Sequence, residues 1–357
     1  MKKVLSILVL LIAAISLAAC GGQTYVIAMI TDTGDIDDGS FNQGTWEGIV
    51  EYATENNVSH QYYKPAGETT SDYMAAIDLA VAGGAEIIIT PGFYFETPIF
   101  EAQSKYPDVK FVLIDGVPHA GDYDVVIGDN TLSIFFTEHE SAFLAGYALV
   151  KEGFETLGFM GGIAVPAVQR FGVGFVAGAY YAAEEEGLEN FVFSANDYTY
   201  LGSFGPSAEF KTMAGAWFDR GVDAIHAAAG GAGLSVMSAA AERDNKWVVG
   251  VDSDQSWDDT VITSALKGVG VAAKEALEEY FAGTFEGGRA ITLDAAVGAV
   301  GLPMDTSRFE SFTTAQYNAI LALVANENVV VPSTATELGA FVTALGYTAE
   351  AALLAKI

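Results

Sequence analysis

Along this chain, short and nearly unbroken apolar runs alternate with longer segments in which apolar residues recur at helical spacing. The short runs are Tyr25–Thr31, Glu86–Thr90, Val109–Ile114, Thr156–Met160, Val222–Ala227 and Trp247–Val251. Their length and continuity are those of parallel strands covered on both faces. Helical spacing appears in Gln43–Asn56, Ser71–Ala82, Thr97–Lys105, Glu138–Glu152, Val168–Glu186, Ser207–Arg220, Leu234–Arg243 and Val271–Ala282. Such alternation predicts right-handed crossovers and doubly wound sheets. The units are too many for one comfortable sheet, so an α/β fold of two Rossmann-like lobes is expected. No linker of Pro or Ser separates the lobes, which predicts several chain crossings between them. Beyond Gly301 the pattern weakens; Thr313–Asn326 reads as a helix and the end from Ser333 as helical trimming.

The segment before the first strand has a different character. Lys2 and Lys3 precede an apolar run, Val4–Leu17, and the small pair Ala18-Ala19, the order of a secretory signal. The run is too short for a membrane span. Cys20 is the single cysteine, so no disulfide forms within one molecule. Leu17-Ala18-Ala19-Cys20 resembles the lipobox of bacterial lipoproteins. That resemblance implies cleavage before Cys20, lipidation there and anchoring to the extracytoplasmic face of the cell membrane. The expected plan is a signal at 1–19, lipidated Cys20 and a linker to 24, and a binding module at 25–357. Within it, one lobe takes about 25–137 and 266–300; the other takes about 138–265 and the C-terminal segment. A net charge of −30 with dispersed carboxylates argues against nucleic acid and anionic lipid as partners.

Polar residues gather where the strands end. Asp32 follows VIAMIT, Thr90 and Gly92 follow EIII, Asp115 follows FVLI, Gly230 and Gly231 follow AIHAAA, and Asp252 follows VVGV. In open parallel sheets ligands sit outside the carboxyl ends of the strands, where strand order reverses. Singly, each aspartate is also what a helix cap or turn requires. Together they suit a neutral polyhydroxylated ligand, because carboxylates accept from vicinal hydroxyls and repel phosphate. Phe41 and Phe204 occupy loop positions from which two rings could sandwich a planar group or cap the core. On the residues alone, capping the core is the stronger of the two roles.

TDTGDIDDGSFNQGTWEG resembles the Asp-Asp-x-Ser-Phe-Asn signature of the basic membrane protein family, the purine-nucleoside-receptor-like lipoproteins that serve ABC transporters. GAEIIITPGF, FVLIDG, EHESAFLAGYAL, GFMGGIAVPAVQRFGVGFVAGA, AAAGGAGLSVMSAA, GVDSDQ and VITSALKG follow in the family's order from about Tyr25 to Gly301. The resemblance implies a type I periplasmic-binding fold, hinged by crossovers, with a nucleoside of the guanosine, adenosine or inosine class between the lobes. It implies that Phe41 and Phe204 stack on the base, that Asp38 and Asn42 meet its edge, and that Asp32 lies close by. Asp115, Asp252 and Lys267 would hold the ribose, with backbone help from Gly230 and Gly231. An ABC permease is the implied partner of a monomeric receptor. The chain departs from the family's pattern at Gly205-Pro206-Ser207-Ala208-Glu209 and matches it loosely from Leu302 onward.

Catalytic and cofactor signatures were sought as alternatives. There is no GxSxG elbow, HExxH or Walker lysine motif. Gly172, Gly174 and Gly178 have the wrong spacing for a dinucleotide loop and fall inside a helical pattern, where they would permit close packing. No cofactor, metal or enzymatic activity is expected, and the scattered histidines read as surface or satisfied core residues. Two alternatives stay open: a nucleoside-cleaving hydrolase using paired acids such as Asp37 and Asp38, and a lipoprotein presenting nucleoside or sugar to a signalling partner.

Overall fold

The apolar run ahead of Asp32 forms strand β1 (Ile27–Ile30), in which every residue is buried. The computed structural model describes residues 25–357, so the expected signal, linker and lipidated Cys20 lie outside the described residues. Helix α1 (Phe41–Asn56), strand β2 (His60–Tyr63), α2 (Thr70–Ala82), β3 (Ile87–Pro91), α3 (Glu96–Lys105), β4 (Lys110–Ile114) and β5 (Thr131–Phe136) follow in alternation. The chain then enters a second unit. This contains α4 (Glu138–Glu152), β6 (Leu157–Gly161), α5 (Pro166–Glu185), β7 (Tyr198–Tyr200), α6 (Ala208–Asp219), β8 (Ala224–His226), α7 (Gly233–Ala240), β9 (Trp247–Asp252) and β10 (Val261–Lys267). It returns through α8 (Val269–Phe281) and β11 (Arg289–Leu293), then crosses again to β12 (Val300–Gly301), α9 (Thr314–Ala325), α10 (Ala335–Ala344) and α11 (Ala351–Leu354).

The first sheet has the order β11-β5-β4-β3-β1-β2, and all its pairs are parallel. The second has the order β12-β10-β9-β8-β6-β7, parallel except for the β12 edge. Both sheets therefore reverse strand order at the same topological place, β1/β3 in one and β6/β8 in the other. This is the doubly wound, two-lobed α/β fold of a type I periplasmic-binding protein. The backbone passes between sheets at Thr137, at Gly268 and between Leu293 and Val300.

Six strands, β2, β5, β7, β10, β11 and β12, are additional to those expected from the apolar runs. β5 (TLSIFF) and β10 (VITSALK) interleave Thr and Ser with apolar residues, yet most of their positions are buried. The Oγ atoms of Thr131 and Ser133 are buried without a partner, so burial there follows from the strands on either side, not from hydropathy. β2 is an edge strand with every residue half-buried, which leaves it no continuous apolar run.

Close helix packing sets the framework. A Cβ added at Gly174 or Gly178 of α5 would run into the carbonyl oxygens of His139 and Phe143 on α4, and one at Gly146 into that of Phe175. Among the described residues, no helix is long and apolar enough to cross a membrane.

Candidate functional site between the lobes

The loop after β1 is tied to itself by its own acids. Asp38 Oδ1 accepts from the backbone N–H groups of Ser40 (2.9 Å) and Gln43 (3.1 Å), and Oδ2 accepts from that of Asn42 (3.1 Å). Asp38 thus supplies the cap of α1, and the helix starts at Phe41, two residues before the expected Gln43. Asn42 Nδ2 donates to Asp32 Oδ1 and to Asp38 Oδ2, both at 2.8 Å, while its Oδ1 accepts from the Asp32 N–H at 3.2 Å. Both amide hydrogens of Asn42 are therefore engaged in fixing the two acids.

The second lobe reaches into this loop. Ser40 Oγ donates to Asp252 Oδ2 at 2.6 Å, and Gln255 Nε2 donates to the Gly39 carbonyl at 2.7 Å. Phe41 directly follows these anchors and lines a cavity of about 480 Å³. That size is ordinary for a small-molecule site. The cavity lies at the carboxyl ends of the strands and the strand-order reversals of both sheets, as the topology rule requires. All ten expected residues line it: Asp32, Asp38, Phe41, Asn42 and Asp115 from the first lobe, and Phe204, Gly230, Gly231, Asp252 and Lys267 from the second. Thr90 does not; it is buried in the sheet and donates to the Val112 carbonyl.

Asp115 and Asp252 both sit in the left-handed region, with φ of 60° and 63°. Asp tolerates this region better than most non-glycine residues. It turns each carboxylate out of its strand end and into the cleft. Lys267, with a side chain 1% exposed, pairs with Asp115 Oδ2 and, at 2.9 Å, with Glu138 Oε1. The rings of Phe41, Phe136 and Phe171 lie 5.2, 5.3 and 6.0 Å from its ammonium. Asp115 Oδ1 is buried and has no partner, an acceptor left over inside the cavity.

Burial pushes the Asp32 carboxyl up to about 6, against the hydrogen bonds from Gly34 and Asn42. It pushes Asp252 up to about 7, against the attraction of Lys267 and the Ser40 bond. Burial also raises Asp115, with Lys267 opposing. Glu138 goes the other way: burial is its largest influence and would raise it, but Lys267 and Arg170 together bring it below its ordinary value.

Several residues of this site had no expected role. Glu138 has no exposed surface and accepts from Arg170 Nε at 2.7 Å as well as from Lys267. In sequence it reads as an ordinary acid in a helix's first turn. Ser40 and Gln255 stand within the quoted GSFN and GVDSDQ segments, so a signal for them was present. His119 is neither a surface nor a core bystander: it lines the cavity and bonds Glu96 at 3.0 Å. His139 Nδ1 and His226 Nε2 are buried without partners, so these two are only partly satisfied; burial holds both near 4, neutral.

Chemically, the cavity offers many acceptors, few free donors and aromatic rings from both lobes, Phe41 and Phe204 among them. Among the described residues, no three His, Cys, Asp or Glu side chains converge as metal ligands would. Comparison with known proteins agrees with a binding site of this kind. The family model for "ABC transporter substrate-binding protein PnrA-like" matches residues 25–335. The "ABC transporter nucleoside-binding protein BmpA" of Lactococcus lactis is 31% identical over 306 residues, spanning 79% of this chain and 82% of that protein. "Basic membrane protein B" of Borreliella burgdorferi is 29% identical over 324 residues, spanning 88% and 90%. A solved ABC-transporter solute-binding protein of Aeropyrum pernix superposes with a TM-score of 0.74 at 22% identity, over 93% of this chain and 99% of its own, which shows the shared fold. With a cavity between two doubly wound lobes and a match over nearly all the described residues, the chain belongs to the PnrA-like family of ABC transporter substrate-binding proteins.

Proposed function

We propose that this substrate-binding protein is a lipid-anchored, extracytoplasmic receptor that captures a nucleoside of the purine class and delivers it, as a monomer, to an ABC permease. The observation that carries the reading is the placement of Phe41 and Phe204, from opposite lobes, in one cavity with the carboxylates of Asp115 and Asp252. Two rings suit a flat base, and two carboxylates suit the vicinal hydroxyls of ribose. The name of the Lactococcus relative supports the ligand class. In this reading Asp38 and Asn42 meet the base edge, Asp32 lies close by, and Gly230 and Gly231 bring backbone close to the sugar. The bodies that close are those expected from the sequence, about 25–137 with 266–300 and about 138–265 with the C-terminal segment, except that β10 keeps Leu266 and Lys267 with the second lobe. Closure desolvates the stacked base and the hydroxyl–carboxylate bonds together.

The test is calorimetry of the chain from residue 21 onward, unfolded and refolded to strip carried-over ligand, against nucleosides, free bases, ribose and nucleotides. Stoichiometric capture of nucleosides, with weaker binding of base or ribose alone, is the expected result. Phe41→Ala and Phe204→Ala should each weaken binding by about 1–3 kcal/mol, the strength of base–aromatic stacking. Unchanged affinity in both variants would sink the sandwich. Free base appearing in the mixtures without stoichiometric capture would favour a hydrolase instead. For the anchor, cells fed labelled fatty acid should label the wild-type protein and not Cys20→Ser.

A further inference from the structure

The hydrogen-bonding groups of the cleft are unevenly divided. Asp32, Asp38, Glu96, Asp115 and Asp252 bring carboxylates, while the cationic side chains in the lining are Lys267 and Arg170. Lys267 is engaged by Asp115 and Glu138 and enclosed by aromatic rings. His119 is engaged as well. Its Nδ1 accepts from the Gly121 N–H at 2.9 Å, which leaves Nε2–H to donate to Glu96. The amide hydrogens of Asn42 go to Asp32 and Asp38.

Arg170 is different. Its Nε and Nη2 bond Glu138 at 2.7 and 3.4 Å, a side-on arrangement, and its side chain is 24% exposed where it lines the cavity. A guanidinium carries its hydrogens in a rigid fork geometry, and side-on pairing leaves the end-on edge: both Nη1 hydrogens and the second on Nη2. Glu138, fully buried behind it, fixes the orientation, because swinging the arginine away would strip a buried carboxylate of a partner.

We propose that Arg170 is a specificity-determining residue whose outward edge donates to an acceptor oxygen on the sugar of the bound ligand, the 5′-hydroxyl oxygen in a nucleoside. This rests on the nucleoside reading above. The carboxylates of Asp115 and Asp252 take hydroxyl hydrogens from the diol, so the primary hydroxyl is the sugar group left for a donor. A phosphate there would meet the field of the surrounding carboxylates, while the guanidinium's charge is already matched by Glu138. The edge therefore selects a neutral acceptor.

The experiment compares wild type, Arg170→Gln and Arg170→Lys by calorimetry. The ligands are a purine nucleoside, its 2′-, 3′- and 5′-deoxy analogues and its 5′-monophosphate. Removing the 5′-hydroxyl should weaken wild-type binding about ten- to a hundredfold, as loss of a hydrogen bond to a charged group does. That penalty should vanish in Arg170→Gln and shrink in Arg170→Lys, which keeps the charge but loses the fork. The 2′ and 3′ penalties should be the same in all three proteins. Equal 5′ penalties in wild type and variants overturn the proposal alone, as does tighter wild-type binding of the monophosphate than of the nucleoside. A wild-type protein that binds no nucleoside overturns the receptor reading and this proposal with it. If Arg170→Gln does not fold, Arg170→Lys, which keeps a cation beside Glu138, decides the matter.

Discussion

Asp252 carries the sharpest electrostatic consequence of any single residue here. It is 9% exposed, and burial lifts its carboxyl to about 7 from an ordinary 3.8, with Asp115 and Asp38 adding to the lift and Lys267 and Ser40 opposing it. A raised acid contributes stability that is fully present below its unfolded value and is lost as pH rises through its folded one. The unliganded wild type should thus lose stability between about pH 4 and 7 through this group, whereas Asp252→Asn should not. The variant's advantage above pH 7 should reach at most about 4 kcal/mol, from the gap between about 7 and 3.8, and disappear near pH 4. Denaturant titrations of both proteins at pH 4, 6 and 8 measure this. Binding has the opposite sign: a ligand hydroxyl donating to the ionised carboxylate favours ionisation. Nucleoside affinity should therefore fall as pH drops below 7, and binding near pH 7 should release protons, seen as a dependence of calorimetric heat on buffer. A pH-independent affinity in wild type would remove Asp252 from the list of ligand acceptors.

At the scale of elements, the α4–α5 contact shows how a local pattern can be right about cause without showing consequence. The glycines at 172, 174 and 178 rule out a dinucleotide loop by their spacing alone, and close packing is the remaining use for them. Which helix they face is a tertiary fact: α4 lies so near that a methyl group at Gly174 or Gly178 meets backbone oxygen, which cannot rotate away as a side chain would. Gly178→Ala should destabilise the protein by about 1–3 kcal/mol, the usual cost of overpacking, and a denaturant midpoint within error of wild type would contradict the packing. The expected helices were recovered to within three residues at either end, because helical spacing of apolar residues is a pattern of neighbours along the chain. β5 and β10 were not, because their Thr and Ser positions are covered by neighbouring strands that no window along the chain includes.

The described molecule is two sheets of matching strand order, differing in the antiparallel β12 edge, joined where the chain crosses at Thr137, Gly268 and the 293–300 stretch. Lys267 stands at the end of β10 next to one crossing and Glu138 at the start of α4 next to another, so their ion pair joins the hinge strands directly. Ligand binding across such a hinge should compact the protein, and small-angle scattering should record a smaller radius of gyration with nucleoside than without. At a ligand concentration of about 100 times Kd, mass action adds about 2.7 kcal/mol of stability. A thermal shift without compaction would mean that the lobes do not close on the ligand.

What the amino-acid sequence determined by itself is what depends on neighbours along the chain. The α/β class and the places where apolar strands end in Asp32, Asp115 and Asp252 follow from periodicity along the chain, whereas Phe41 reads there as a loop residue and heads its helix only in the folded structure. Only the tertiary structure decided how those groups share partners. Asn42 is engaged in holding Asp32 and Asp38, Asp115 keeps one oxygen unpaired, and Glu138 ties Lys267 and Arg170 together. The Glu138–Lys267 bond joins residues 129 apart, and the Ser40–Asp252 bond residues 212 apart. Such pairs leave no local pattern, because an ion pair in a buried cleft is set by the distance and shared burial of its groups, which exist only once the two lobes are packed together.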